Sequence, residues 1–481
     1  MARWSSLGGG FGGAALWAGL SGGIAIILPL LMFVAFARAL PPLVIGQFAL
    51  AVALSELLKC LGVPGLYEVI LHRQDPTGRD QAAAQGVFLV MGLALVPVHL
   101  LLLYSLLAMT SSQPGNEAAW LLGLVALRIP LDLMLLQPQA ELARRQAHAR
   151  LAQRNIMANI GAGLLGLAGI VAADPMLGLG LYTLGLSVCT AAATVVGTRA
   201  WRWPIWAPDA LRQMRAEALL ASAVRGASVA LMQMDQVALG GLLGPIAFAF
   251  YNVGKRIEMA FVSLAQSFAQ ALFQPLFAAR RGLTERAAVL RQALGIVTVT
   301  CGAGAAVFIA TADLVIALLL GPEWAPAAPV AALLAVAGHG RALAAACASL
   351  LSVSGQNSKL LRVFLVSAGV GLAMVALAAP FGALAVALAV TLRVLATTLL
   401  LAWMTRAAAG DGWRGAMLHA LLGFLGMLAV AMLARSAVVW PGGVASMALQ
   451  AMAVLAACCA VAPIALVMLL RLAPRGRMGG P

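Results

Sequence analysis

The sequence predicts an all-α polytopic membrane protein, and three observations carry that prediction. Of 481 residues, 63% are apolar and 10% are charged, whereas soluble domains run near half apolar and a quarter charged. The apolar residues gather in windows of roughly 20, the length a helix needs to cross the hydrocarbon. Basic residues stand between these windows and fall mainly on one side. Such a composition excludes a soluble enzyme, a nucleic-acid-binding domain and a disordered scaffold.

In chain order, the windows lie at about 14–37, 43–63, 85–109, 117–137, 154–172 and 177–197. A second series lies at about 217–243, 246–278, 290–311, 327–353, 360–379, 382–405, 414–434 and 444–470. The first window contains Pro29 and an A-x-A match at Ala35-Phe36-Ala37. It is too long for a signal-peptide core and reads as an uncleaved span. Fourteen spans leave about a dozen residues for each connection, too few for a catalytic domain. When loops are assigned to alternate sides, 22 basic residues fall on the side of both termini, from Arg3 through Arg144 and Arg145 to Arg477. Only Arg38 and Arg435 fall opposite, so both termini are expected in the cytoplasm.

The formal charge is +15. Lys59, Lys255 and Lys359 are the only lysines, and codon usage explains the arginine excess better than nucleic-acid binding does. The six cysteines lie in apolar runs without a CxxC, and the five histidines form no HExxH, so neither a metal nor a cofactor is expected. GAGLLG, with Gly161, Gly163 and Gly166, formally matches a dinucleotide fingerprint. Inside an apolar helix, with Gly169 continuing the stripe, it reads as a helix-packing surface, and Gly19/Gly23 reads the same way. Nine of the ten tryptophans, Trp324 among them, stand mostly near span ends, and an interfacial belt explains most of them.

Seven basic residues fall inside predicted spans: Lys59, Arg128, Arg225, Lys255, Arg256, Arg341 and Arg393. Four acids join them, Glu56, Asp132, Asp235 and Glu258, for a balance of +3. Charge at membrane depth marks function. Glu56/Lys59, Arg128/Asp132 and Lys255/Glu258 are three or four residues apart and share helix faces, which suits gating or structural pairing at least as well as substrate contact. Arg225, Arg341 and Arg393 have no acid at that spacing, so each must face water, a cross-helix acid or an anionic ligand, with snorkelling the main rival. Asp235 lies about as far before the turn at Gly244-Pro245 as Lys255 and Arg256 lie after it, which predicts a pair across the hairpin and a candidate gating or coupling acid.

LPPLVIGQF at 40–48 and LGPIAFAFY at 243–251 match position by position, turn residues included, 203 residues apart. A repeat of six spans keeps both copies in one orientation and predicts two lobes related by a pseudo-twofold axis along the membrane normal. The lobes are expected at 1–200 and 201–410, with two further helices and a tail at 411–481.

Four segments then resemble a known family: FARALPPLVIGQFALAVAL at 36–54, DQVALGGLLGPIAFAFYNVGKRIE at 235–258, LFQPLFAARRGLTERAAVLRQAL at 272–294 and LLGPEWAPAAPVAALLA at 319–335. In order and spread they resemble the polysaccharide (Wzx-type) flippases of the multidrug/oligosaccharidyl-lipid/polysaccharide (MOP) exporter superfamily. Pro-Pro stands at the first hairpin where the family more often has Gly-Pro. The resemblance implies a bacterial inner-membrane transporter with a central cavity that opens alternately to either side. It also implies a polyprenyl-diphosphate-linked oligosaccharide as substrate, and a polysaccharide polymerase and export machinery as possible partners. Arg225, Arg341, Arg393 and Arg256 are then the candidates to hold the diphosphate, because a guanidinium fork grips phosphate bidentately. A murein-precursor flippase fits the same class. A drug/cation antiporter should favour an acidic cavity, and a polymerase or ligase usually needs a larger outer loop than any here.

Overall fold

The computed structural model describes residues 11–62, 65–72, 77–110, 116–145, 147–172, 174–197, 200–280, 282–410 and 412–437, together with 452–454 and 456. All regular structure among them is helical. The chain forms two compact units, Met1–Ala249 and Phe250–Pro481. Ten helical stretches among the described residues are long and apolar enough to cross a membrane. The window expected at 444–470 lies almost wholly outside the described residues.

The first unit contains α1 (Phe11–Ala39), α2 (Pro42–Lys59), α3 (Gly65–His72), α4 (Gly78–Met109), α5 (Asn116–Met134), α6 (Leu136–Arg144), α7 (His148–Val171), α8 (Pro175–Gly197) and α9 (Pro208–Leu243). Local signals fix several starts. Pro42 and Pro208 occupy the first turns of α2 and α9, where a missing N–H costs nothing. Thr77 and Asp80 form a reciprocal cap on α4, the Asp80 amide donating to Thr77 Oγ1 and the Thr77 amide to Asp80 Oδ2. Gly244, at φ 82°, takes the left-handed conformation that turns α9 into the next helix.

Helix association in a bilayer relies on close van der Waals packing, because lipid tails are as apolar as the helices. The α7 stripe serves that purpose. A Cβ on Gly169 would strike Gly178 of α8, and Gly166 faces Tyr182 of α8 together with Met32 and Phe36 of α1. Gly23 differs from the expected packing role among the described residues, none of which lies within 4 Å of its would-be Cβ, while the surroundings of Gly19 lie outside them. At the repeated turns, Gly46 of α2 lies so close to Pro245 that a Cβ would overlap the proline carbonyl.

The second unit continues α10 (Pro245–Phe268) and adds α11 (Gln274–Ala278), α12 (Leu283–Val297), α13 (Ala303–Leu319), α14 (Ala327–Val353), α15 (Asn357–Ala378), α16 (Ala383–Met404), α17 (Arg406–Ala409) and α18 (Gly412–Ala437). Two π-helical turns interrupt what the hydropathy presents as plain helix, Ala269–Phe273 after α10 and Thr298–Gly302 between α12 and α13. Phe273, Phe277, Leu290, Leu294, Leu350 and Leu401 build an apolar core in this unit. Trp324 departs from the interfacial-belt expectation. It is 1% exposed and meets Phe250 edge to face at 6.0 Å. Asp313 of α13 pairs with Arg435 of α18 at 2.5 Å.

Gly46→Val should therefore destabilise the detergent-solubilised protein by about 1–3 kcal/mol through backbone overlap. Gly426→Val, where no described atom lies within 4 Å of the would-be Cβ, should be close to neutral. Thermal unfolding followed by size-exclusion chromatography measures both, and equal melting points would refute the close approach.

Candidate functional site

Each unit contains a cluster of charged side chains on its long helices. In the first, α2 supplies Glu56 and Lys59, one turn apart on one face. Lys59 Nζ lies 2.6 Å from Glu56 Oε1 and 2.8 Å from Asp132 Oδ2 of α5. Arg128, one turn before Asp132, places Nε 3.0 Å from Asp132 Oδ2 and Nη2 3.8 Å from Glu56 Oε1. Ser187 of α8 donates to Asp132 Oδ1. Two cations thus face two carboxylates, and the two pairs expected from spacing merge into one cross-helix network.

In the second unit the balance differs. Lys255 and Glu258 lie one turn apart on α10, with Nζ 3.1 Å from Oε2. Arg341 of α14 reaches the other oxygen of Glu258, with Nε 2.5 Å from Oε1. The α10–α14 approach depends on small residues. A Cβ at Gly338 would come 3.0 Å from the Glu258 Cα, and one at Gly254 would come 2.8 Å from the Ala331 Cα. Arg393 of α16 acts on Glu258 electrostatically and donates Nη1 to the Ser367 hydroxyl of α15 at 3.2 Å. Among the described residues, three cations therefore act on this one carboxylate, two of them in contact with it, and its side chain is 0% exposed. An anion buried this deeply persists only when its charge is balanced.

Arg341 thus finds a cross-helix acid, one of the three options open to it from sequence. Arg256 donates Nε to Asn252 Oδ1 at 3.1 Å, one turn back on α10. Arg225 and Asp235 lie on α9, and their side chains fall outside the described residues, as does the expected pairing of Asp235 with Lys255 or Arg256. Tyr251 is buried in the second unit.

A third polar cluster escaped the sequence reading. Glu141 of α6, with its side chain 1% exposed, binds Arg144 and Arg145 one turn on. It also accepts from Gln81 Nε2 of α4 at 3.1 Å. Gln137 donates to the Ala200 carbonyl at 3.1 Å, and Arg202 donates to Gln81 at 3.3 Å, which tethers the segment before α9. Arg144 and Arg145 look like loop charges in sequence. The signal that could have placed them is Glu141 three and four residues earlier, on a helical face.

Glu258→Gln should cost about 3–5 kcal/mol of stability, because Lys255 and Arg341 lose their shared counter-charge in a buried setting. Asp132→Asn should cost less, because Glu56 stays beside both Lys59 and Arg128. Thermal unfolding of the purified variants checks the order, and the reverse order would contradict the geometry.

Residues 35–329 match the family described as "Polysaccharide biosynthesis protein". No curated protein matches the chain. Among solved structures, lipid II flippase MurJ in an inward closed conformation aligns with a TM-score of 0.72 at 9% identity, over 95% of this chain and 99% of that one. An inward-facing multidrug resistance MATE family transporter of the MOP superfamily aligns at 0.55 and 16% identity, over 83% and 96%. A MOP superfamily transporter from Pyrococcus furiosus, whose binding pocket is described as of reverse polarity, aligns at 0.57 and 14% identity, over 84% and 97%. At these identities the likeness is one of fold.

Proposed function

The chain belongs to the polysaccharide biosynthesis protein family, and on that premise we propose that it is a flippase for a polyprenyl-diphosphate-linked oligosaccharide. It carries the repeat unit from the cytoplasmic to the outer leaflet of the bacterial inner membrane by alternating access, without covalent chemistry. The two lobes are assigned to 1–200 and 201–410, with both termini cytoplasmic.

The observation that carries this reading is the unequal charge of the two clusters. Among the described residues, the first has as many carboxylates as cations, whereas in the second Glu258 is the one carboxylate beside Lys255 and Arg341, with Arg393 acting on it as well. A net positive site at membrane depth is expensive unless an anion visits it. A diphosphate is such an anion, and arginine keeps its charge in a poor solvent while gripping two phosphate oxygens at once. A cation antiporter would favour the opposite sign. Arg341 and Arg393 are assigned to the diphosphate, with Arg225 and Arg256 as further candidates. The Glu56, Lys59, Arg128 and Asp132 network, together with Asp235, Lys255 and Glu258, is assigned to gating or coupling.

Loss of the gene should stop export of a polysaccharide and leave lipid-linked repeat units facing the cytoplasm, where a membrane-impermeant sugar-modifying reagent cannot reach them in intact cells. Repeat units that reach the outer leaflet at the normal rate would rule out the assignment. Arg393→Gln and Arg341→Gln should fail to restore export at normal protein level, while Arg393→Lys should restore part of it.

A further inference from the structure

The second unit carries a cleft that the charge clusters do not explain. It lies between α15 and α16 and has a volume of about 500 Å³. Val366, Val370, Leu392, Ala396 and Leu400 supply its apolar lining, and Val366 and Leu392 are more than half exposed. Only 11% of the spanning window of α15 is buried inside the protein, which places this cleft on an exposed face that a surrounding bilayer would cover.

Its polar residues are few and of one sign. Arg362 lies toward one end, and Arg393 lies midway together with Ser367 and Thr397. None of the described lining residues is acidic. The Ser367 and Thr397 hydroxyls bond each other at 2.7 Å, and Arg393 donates to Ser367. Gly371 of α15 makes room for the guanidinium, since a Cβ there would lie 2.6 Å from Arg393 Nε.

Depth selects the occupant. Arg393 is the eleventh of 22 residues in α16, about 15 Å from either end of the helix at 1.5 Å per residue. Resident phospholipids keep their phosphates at the edges of hydrocarbon about 30 Å thick. A phosphate reaches mid-depth only on a lipid in transit. Arg362, five residues before Ser367 on α15, lies one to two turns nearer the helix start. The cleft thus offers a cation near the membrane edge, a second at the centre, and apolar wall between them.

We infer that the α15–α16 cleft seats the phosphate-proximal end of the polyprenyl carrier, its chain along the Val366–Val370 and Ala396–Leu400 walls and its phosphate passing from Arg362 to Arg393. This rests on the flippase reading and adds to it a lipid-facing subsite on the second unit. Arg393 borders the cleft and also acts on Glu258, so the cleft and the charged cluster share one cation.

The test uses the full chain in phosphatidylcholine nanodiscs and a long-chain polyprenyl monophosphate with a diazirine near the phosphate. Photolabelling should map to residues 362–374 and 392–400. Val366→Trp and Ala396→Trp, both lipid-exposed and so tolerable for folding, should each lower the yield to about a tenth. Arg393→Gln should do the same, while Arg393→Lys should keep part of the labelling. Unlabelled polyprenyl phosphate should compete, and phosphatidylglycerol should not. Labelling elsewhere, indifference to the Trp variants, equal competition by phosphatidylglycerol, or chain-to-chain adducts in place of lipid adducts would each overturn the inference. Labelling needs no transport, so the two readings fail separately. A chain that moves lipid-linked repeat units but labels elsewhere loses only the cleft. A chain labelled in the cleft that leaves repeat units behind loses only the flippase reading.

Discussion

Glu258 is a carboxylate without exposed surface, in the middle of a helix whose sequence reads as a membrane span, and its neutralisation constrains the second unit around it. Lys255 takes one oxygen from the same helix, and Arg341 takes the other from α14. For Arg341 to reach, α10 and α14 must approach closely, so Gly254 and Gly338 stand where a larger side chain would hold the backbones apart. Charge compensation and small-residue packing are therefore one requirement, met at one helix crossing.

The two units reach related solutions with different balances. Each has a Glu/Lys pair one turn apart on the helix after the repeated turn, in opposite order, and an arginine on a later helix. In the first unit, Asp132 completes neutrality and Ser187 anchors it. In the second, no such acid joins Glu258 among the described residues, and Arg393 contributes a further cation. A neutral network holds its own geometry. A cationic one is most stable when an anion is present, which ties its free energy to an occupant.

The helical membrane class was legible because long apolar runs leave a helix no rival in lipid. The pairs within one helix were legible too, since spacing alone brings Glu56 to Lys59 and Lys255 to Glu258. What sequence could not supply was partners on other helices: Asp132 for Lys59, 73 residues away, and Glu258 for Arg341. Short amphipathic pieces were also lost. α3 and α6 fall below spanning length, so hydropathy passes over them, and Arg144 and Arg145 were counted as loop charges although Glu141 holds both. Trp324 shows the limit of a positional rule, because proximity to a span end does not distinguish an interfacial ring from a buried one.

The π turn at Thr298–Gly302 amounts to one surplus residue threaded into a long membrane helix. An α-helix advances about 100° per residue, so everything after the turn faces where it does because that residue is present. Removing one residue between 298 and 302 would leave a regular, uninterrupted helix with better backbone hydrogen bonding. It would also swing Asp313 about a quarter-turn away from Arg435 and turn the packed face of α13 off its neighbours. Here the irregular backbone sets the rotational phase of α13, and a more ideal helix would be the wrong one.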